Sequence, residues 1–167
     1  MSLPESLGAF LAQSRNLILA GNRAGGRPHV TPNWFCWDGA RFYVSTTRGR
    51  VKYALFRRDP RAQLLIDDPA GPRAVLIPAT VEIREDLAAE LPRFAAIRDK
   101  YGMKPLDAAE HLGSLTAEGR VLLAITPDGP ASTWTSWGFS SLSRCECQGD
   151  GIVACRNAHP TCYYLRT

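Results

Sequence analysis

The chain has little of what most hydrolytic, extracellular or membrane proteins display. Its three histidines, His29, His111 and His159, are scattered, with no HExxH or Ser/His/Asp spacing, so metal-assisted or triad hydrolysis has no candidate constellation. The longest apolar runs, such as Val121 to Ile125, are far too short to cross a bilayer, and no membrane partner is expected. The opening MSLPESLGAF has no basic segment ahead of an apolar one, so no signal peptide is expected and the cytoplasm is the default location. Five cysteines are an odd number, and without a secretion signal they speak against a disulfide framework. Four of them, Cys145, Cys147, Cys155 and Cys162, crowd the end of the chain, but Cys145 and Cys147 are one residue apart, unlike the C-x₂-C pairs of zinc sites, and no metal is assigned. Charge of one sign is also scarce. The net +4 favours anions only weakly and gives no reason to assign nucleic acid as a partner. No internal repeat is present.

What is there is an ordinary globular composition, 45% apolar and 22% charged over 167 residues, enough for one domain with a full core. Ser2 and Pro4 suit the start of a first helix with Leu7, Phe10 and Leu11 as its apolar stripe. Residues 16–20 read as a strand, the Gly-rich 21–26 as a turn, and 29–37 (HVTPNWFCW) as a second strand. Pro32 cannot donate to a ladder, so that strand is expected to be bulged or at an edge. Asp38-Gly39 signals a two-residue hairpin into a strand over 41–46. Further strands are expected over 62–66, 74–83 (with Pro78 marking a bulge), 120–126 and 133–139, and helices over 84–101 and 106–115. Frequent turns and hairpin-linked strands around one helical excursion predict a mainly β, α+β fold built on an antiparallel barrel. Composition changes at Ser140, so residues 1–139 are expected to form the domain and 140–167 an irregular Cys-containing extension.

The most distinctive stretch is Tyr43 to Arg61, YVSTTRGRVKYALFRRDPR. A strand gives way, through Thr47-Arg48-Gly49, to a short helix whose Val51, Ala54, Leu55 and Arg58 share one face by spacing. Arg48, Arg50, Lys52, Arg57, Arg58 and Arg61 are basic against a single acid, Asp59. A helix start offers unpaired N–H groups and the positive end of the macrodipole, Arg50 and Lys52 add full charges there, and Gly49 allows a turn without a Cβ penalty. A phosphate group fits this place, and so does a plain solvated basic face.

The series VSTT, RGRVK and LFRRDPRAQLLIDD resembles the split-barrel flavin and deazaflavin oxidoreductases, relatives of pyridoxamine 5′-phosphate oxidase. GRPHVTPNWFCWDGARFYVSTT is similar to the strands that precede it there, and RAVLIPATVEI and RVLLAIT to those that follow, so the resemblance spans roughly residues 8 to 138. RRDPR is closest to the branch associated with the deazaflavin coenzyme F420; other members use FMN. The resemblance implies an antiparallel split β-barrel of the FMN-binding type, a homodimer with cofactors in clefts between subunits, and a small-molecule substrate. It implies that Val30, Thr31, Pro32, Asn33, Trp34 and Phe35 lie along the ring, that Ser45 and Thr46 contact the cofactor, and that Arg50 and Lys52 hold its phosphate. Where FMN oxidases of this kind carry a lysine near position 35, this chain has Phe35. The resulting expectation is an oxidoreductase passing hydride to or from a small organic molecule, with F420 or, alternatively, FMN. The cofactor would carry the chemistry, and no acid or base is named. A non-catalytic flavin or F420 holder, and a nucleic-acid binder using Trp34 and Phe35 as a stacking platform, are the other classes.

Overall fold

The computed structural model describes residues 3–139. Ser2 and the whole 140–167 extension, with its four cysteines and His159, lie outside the described residues. Four helices and eight strands follow in the order α1 Glu5–Ala12, β1 Leu17–Asn22, β2 Pro28–Asn33, β3 Cys36–Trp37, β4 Phe42–Thr47, α2 Val51–Arg58, β5 Arg61–Asp67, β6 Ala74–Arg84, α3 Leu87–Lys100, α4 Ala108–Ala117, β7 Arg120–Pro127 and β8 Thr135–Trp137. Asp86 caps α3 by accepting from the Ala89 amide, and Asp107 caps α4 by accepting from Ala109 and Glu110. α1 is preceded by Pro4 and has no side-chain cap.

All strand pairs are antiparallel, and the sheet runs β2-β1-β5-β6-β7-β4-β3, with β8 added to β6. The two ends of that order, β2 and β3, are joined by only Trp34 and Phe35. Three Cα steps reach about 10 Å at most, whereas the ends of a flat seven-strand sheet are about 29 Å apart at about 4.8 Å per strand. The sheet therefore curls until its edges nearly meet, giving the antiparallel split β-barrel. The expected single strand over 29–37 is thus two strands on opposite sheet edges, and the break at 34–35 is what lets one chain serve both.

Other departures have local causes. β2 is the edge strand foreseen from Pro32, and its register with β1 runs unbroken through Ile18↔Pro32, so there is no bulge. Pro78 makes no bulge either, because β6 pairs continuously with β5 through Gln63↔Pro78. On its other edge β6 pairs β8 over residues 74–76 and β7 over residues 79–84. Pro78 sits in the gap, its carbonyl accepting from the Asp128 amide, so the missing N–H falls where no partner strand runs. The β3–β4 hairpin has four loop residues rather than two: Trp37 pairs Phe42, and the Asp38 carboxylate accepts from the Ala40 and Arg41 amides.

The barrel is filled by Phe35, Phe42, Val44, Leu64, Ile66, Val75, Ile77, Leu123 and Ile125, and its core is continued by Leu7, Phe10 and Leu11 of α1 and by Leu55 and Phe56 of α2. β4 is buried on both faces. Tyr43 joins Cys36, Phe94, Ile97, Leu115, Leu122 and Ala124 in a second cluster beneath α3 and α4. No helix among the described residues is long and apolar enough to cross a membrane.

α2 can pack against the barrel only because Gly21 of β1 has no side chain. A Cβ there would lie 2.6 Å from Leu55 Cδ2 and 2.8 Å from Phe56 Cε1. Both partners are buried and cannot swing out. Gly21→Ala is expected to destabilise the protein by about 1–3 kcal/mol in urea unfolding; an unchanged midpoint would show that α2 is not seated on that backbone.

Candidate functional site

α2 presents a different face to the barrel than apolar spacing suggests. Lys52, Leu55 and Phe56 point inward, while Val51, Ala54 and Arg58 are exposed. A lysine stem packs like an aliphatic chain, and here its head follows it in. Lys52 is 5% exposed, and its Nζ donates to Asn33 Oδ1. Asn33 is held from its other side, because its amide nitrogen donates to the Thr31 carbonyl at 2.7 Å, the Thr31 hydroxyl at 3.2 Å and the Leu17 carbonyl at 3.3 Å. The last residue of β2 and the first turn of α2 are thereby tied across the seam of the barrel.

The charges around this tie are unequally satisfied. Arg48 reaches Glu85 at 3.4 Å, and Glu85 also accepts from the Tyr53 hydroxyl at 2.6 Å. Arg61 pairs with Asp59 at 2.8 Å, Arg58 donates to the Asn22 carbonyl, and Arg57 lies over the Tyr53 ring. Arg50, exposed at the start of α2, and Lys52 have no carboxylate partner among the described residues. Burial, and then the neighbouring charge of Arg50, pushes Lys52 down to about 8. His29, two residues before Thr31 on the same face of β2, is likewise lowered by burial and by the charges of Arg23 and Lys52.

Thr46 is 2% exposed, and its hydroxyl has no hydrogen-bond partner. An unpaired buried hydroxyl is costly, and a ligand oxygen or nitrogen would satisfy it. Ser45 is not beside it. Strand alternation sends Ser45 to the opposite face, where Arg120 donates to its hydroxyl at 3.3 Å. The stretch 30–35 divides in the same way. Val30, Pro32 and Trp34 are exposed on one side, while Thr31 and Asn33 turn toward Lys52. Phe35 is 0% exposed in the core and its amide donates to the Tyr101 hydroxyl, so neither its side chain nor its N–H remains for a ligand, and it leaves the candidate set. Gly49 has no left-handed φ and a Cβ there would meet nothing, so the turn before α2 does not require glycine.

Sequence reasoning did not find Tyr101. Its ring stacks on Trp34 at 4.6 Å and 6°, and its hydroxyl, besides accepting from Phe35, donates to the Arg15 carbonyl. Lys100, next to it, donates to the Leu11 carbonyl at 2.7 Å and lies 3.3 Å above the Phe35 ring. Nothing local marks either residue, since their partners lie more than sixty positions away.

At the seam, Lys52 is a buried, anion-lacking ammonium on Asn33, and Trp34 and Tyr101 form an aromatic plate at the crossing, while Thr46 carries an orphaned hydroxyl on β4. A family model described as Pyridoxamine 5'-phosphate oxidase matches residues 3–130. A solved structure named F420 reductase is 25% identical, with a TM-score of 0.62, over 76% of this chain and 97% of that one. A conserved hypothetical protein from Mycobacterium tuberculosis is 24% identical, with a TM-score of 0.69, over 92% and 96%. The heme storage protein HutZ from Vibrio cholerae is 17% identical, with a TM-score of 0.61, over 78% and 93%. No curated protein sequence matches the chain.

The buried lysine has a thermodynamic signature. Its folded value near 8 lies below its ordinary 10.5, so between these the unfolded chain holds a proton that the folded one has released. Stability from this group therefore rises with pH across that window and is lowest below about 8, where both states are charged. Lys100, also pushed down to about 8 by burial, acts in the same direction. Urea midpoints of Lys52→Met are expected to climb less steeply than those of the parent between about pH 8 and 9; parallel slopes would mean that Lys52 is not buried as a free amine.

Proposed function

This chain belongs to the pyridoxamine 5′-phosphate oxidase family, and from that we propose that it is an oxidoreductase holding coenzyme F420, with FMN as the alternative, and passing hydride to or from a small organic molecule. The observation that carries the reading is Lys52, a nearly buried ammonium with no carboxylate partner among the described residues. A buried charge without its counter-ion is unfavourable, and a phosphate seated between Lys52, Arg50 and the uncapped start of α2 would relieve it. Thr46 would give its unpaired hydroxyl to the same ligand. Thr31, Asn33 and the exposed side of β2 at Val30, Pro32 and Trp34 would border the ring. The likeness to the F420 reductase, which spans nearly all of that chain, favours the deazaflavin.

Exposed Val30, Trp34 and Val51 flank the site, and a second copy of the chain covering them would complete the cleft as a homodimer. The bound coenzyme would supply the hydride chemistry. This chain's own residues neutralise the anion, orient the ring against β2 and withhold water from its inner edge.

Fluorescence titrations with F420 and FMN side by side test the proposal, followed by stopped-flow oxidation of the reduced cofactor with small acceptors. F420 is expected to bind the more tightly. Lys52→Ala should weaken binding about ten- to a hundredfold, the scale of one lost charge-assisted hydrogen bond. If neither cofactor binds, or if Lys52→Ala binds as the parent does, the reading fails. Tight binding without any turnover would make the protein a holder of the cofactor rather than an enzyme.

A further inference from the structure

Away from the barrel seam, a groove of about 380 Å3 lies between the outer face of α3 and the start of α4. Pro92, Ala95 and Ala96 leave one side of α3 without bulk, and Met103, Pro105 and Leu106 form the facing wall. Two polar groups line this apolar space without adequate partners. His111 is 6% exposed, its ring packs edge-to-face with Phe94 at a centroid distance of 6.4 Å, and its ring nitrogens have no hydrogen-bond partner among the described residues. Arg98 spends one Nη on the Lys104 carbonyl at 2.9 Å, while its Nε is buried and unpartnered. Buried donors are seldom left unpaired in a native protein.

We propose that this groove binds a small apolar carboxylate, with its hydrocarbon body against Ala95, Ala96 and Leu106 and its carboxylate at Arg98 and His111. The volume is that of a small-molecule site, mostly apolar with a few convergent polar groups. A guanidinium is the best-matched donor for a carboxylate. Burial and the charge of Arg98 lower the His111 imidazole, so it offers an N–H without bringing a second charge. The one acid on the wall, Asp99, is exposed, where solvent screens it from a bound anion. The site shares no lining residue with the seam at β2 and α2, so it stands whether or not the protein binds F420.

Isothermal titration of the full chain with octanoate, and with 1-octanol as the uncharged control, tests the assignment. Octanoate is expected to bind saturably at one site, with 1-octanol at least about tenfold weaker because it lacks the charge-assisted bond. Arg98→Met keeps the aliphatic stem and should cost octanoate about tenfold while leaving 1-octanol unchanged. Ala96→Leu, an exposed position that fills the groove, should abolish binding of both, with unfolding midpoints confirming that the variants remain folded. No saturable octanoate binding to the parent would overturn the proposal. So would equal binding of the two probes, indifferent to Arg98→Met, which would mark an adventitious apolar crevice only.

Discussion

The structure depends on a two-residue crossing. Trp34 and Phe35 carry the chain from one edge of the sheet to the other, and the strands between those edges must bend to make the span possible. The crossing is held from both sides. Phe35 fills the barrel, and Tyr101 ties its amide to the Arg15 carbonyl at the exit of α1. A residue at the end of α3 thus locks a junction built by β2, β3 and α1. The same closure brings Asn33, the last residue of β2, against the first turn of α2, which is why the site lies at the seam rather than on a sheet face.

Buried Lys52 and half-buried Lys100 show how differently a desolvated ammonium can be treated. Lys100 has a carbonyl and an aromatic face, and its role is complete within the chain as a clamp between α1 and the crossing. Lys52 has one amide oxygen and a neighbouring arginine that opposes its charge. Elsewhere in the basic stretch, Glu85 and Asp59 neutralise Arg48 and Arg61. The chain spends its local acids away from Lys52, and of the cations left without one Lys52 is the one that points inward. A purely structural lysine is better served as Lys100 is.

Much of the fold was legible in the sequence because alternation and turn chemistry are local. The strands at 42–47, 61–67, 74–84 and 120–127 and the helices over 87–100 and 108–117 follow expectation to within a few residues. What failed was of two kinds. Apolar continuity from His29 to Trp37 hid a break whose cause is topological, namely that the two halves belong to opposite edges. Counting Lys52 as polar turned the inward face of α2 by a third of a turn, because side-chain class says nothing about where a long stem packs. The resemblance implies that Ser45 and Thr46 both contact the cofactor, and strand alternation sends their side chains to opposite faces of β4. Tyr101 and Glu85 carry no local signal at all, since they reach back 66 residues to Phe35 and 32 residues to Tyr53.

β2 bears one more feature of consequence. Its two prolines, Pro28 and Pro32, are four residues apart, so both absent donors fall on the same edge of a strand that has a partner on one side only. Edge strands carry proline with its bare nitrogen turned outward. A free β-segment approaching that border would find its ladder interrupted at every second rung. The strand that borders the seam can stay uncovered without templating fibrillar stacking, a protection written into the covalent chain rather than supplied by a covering element.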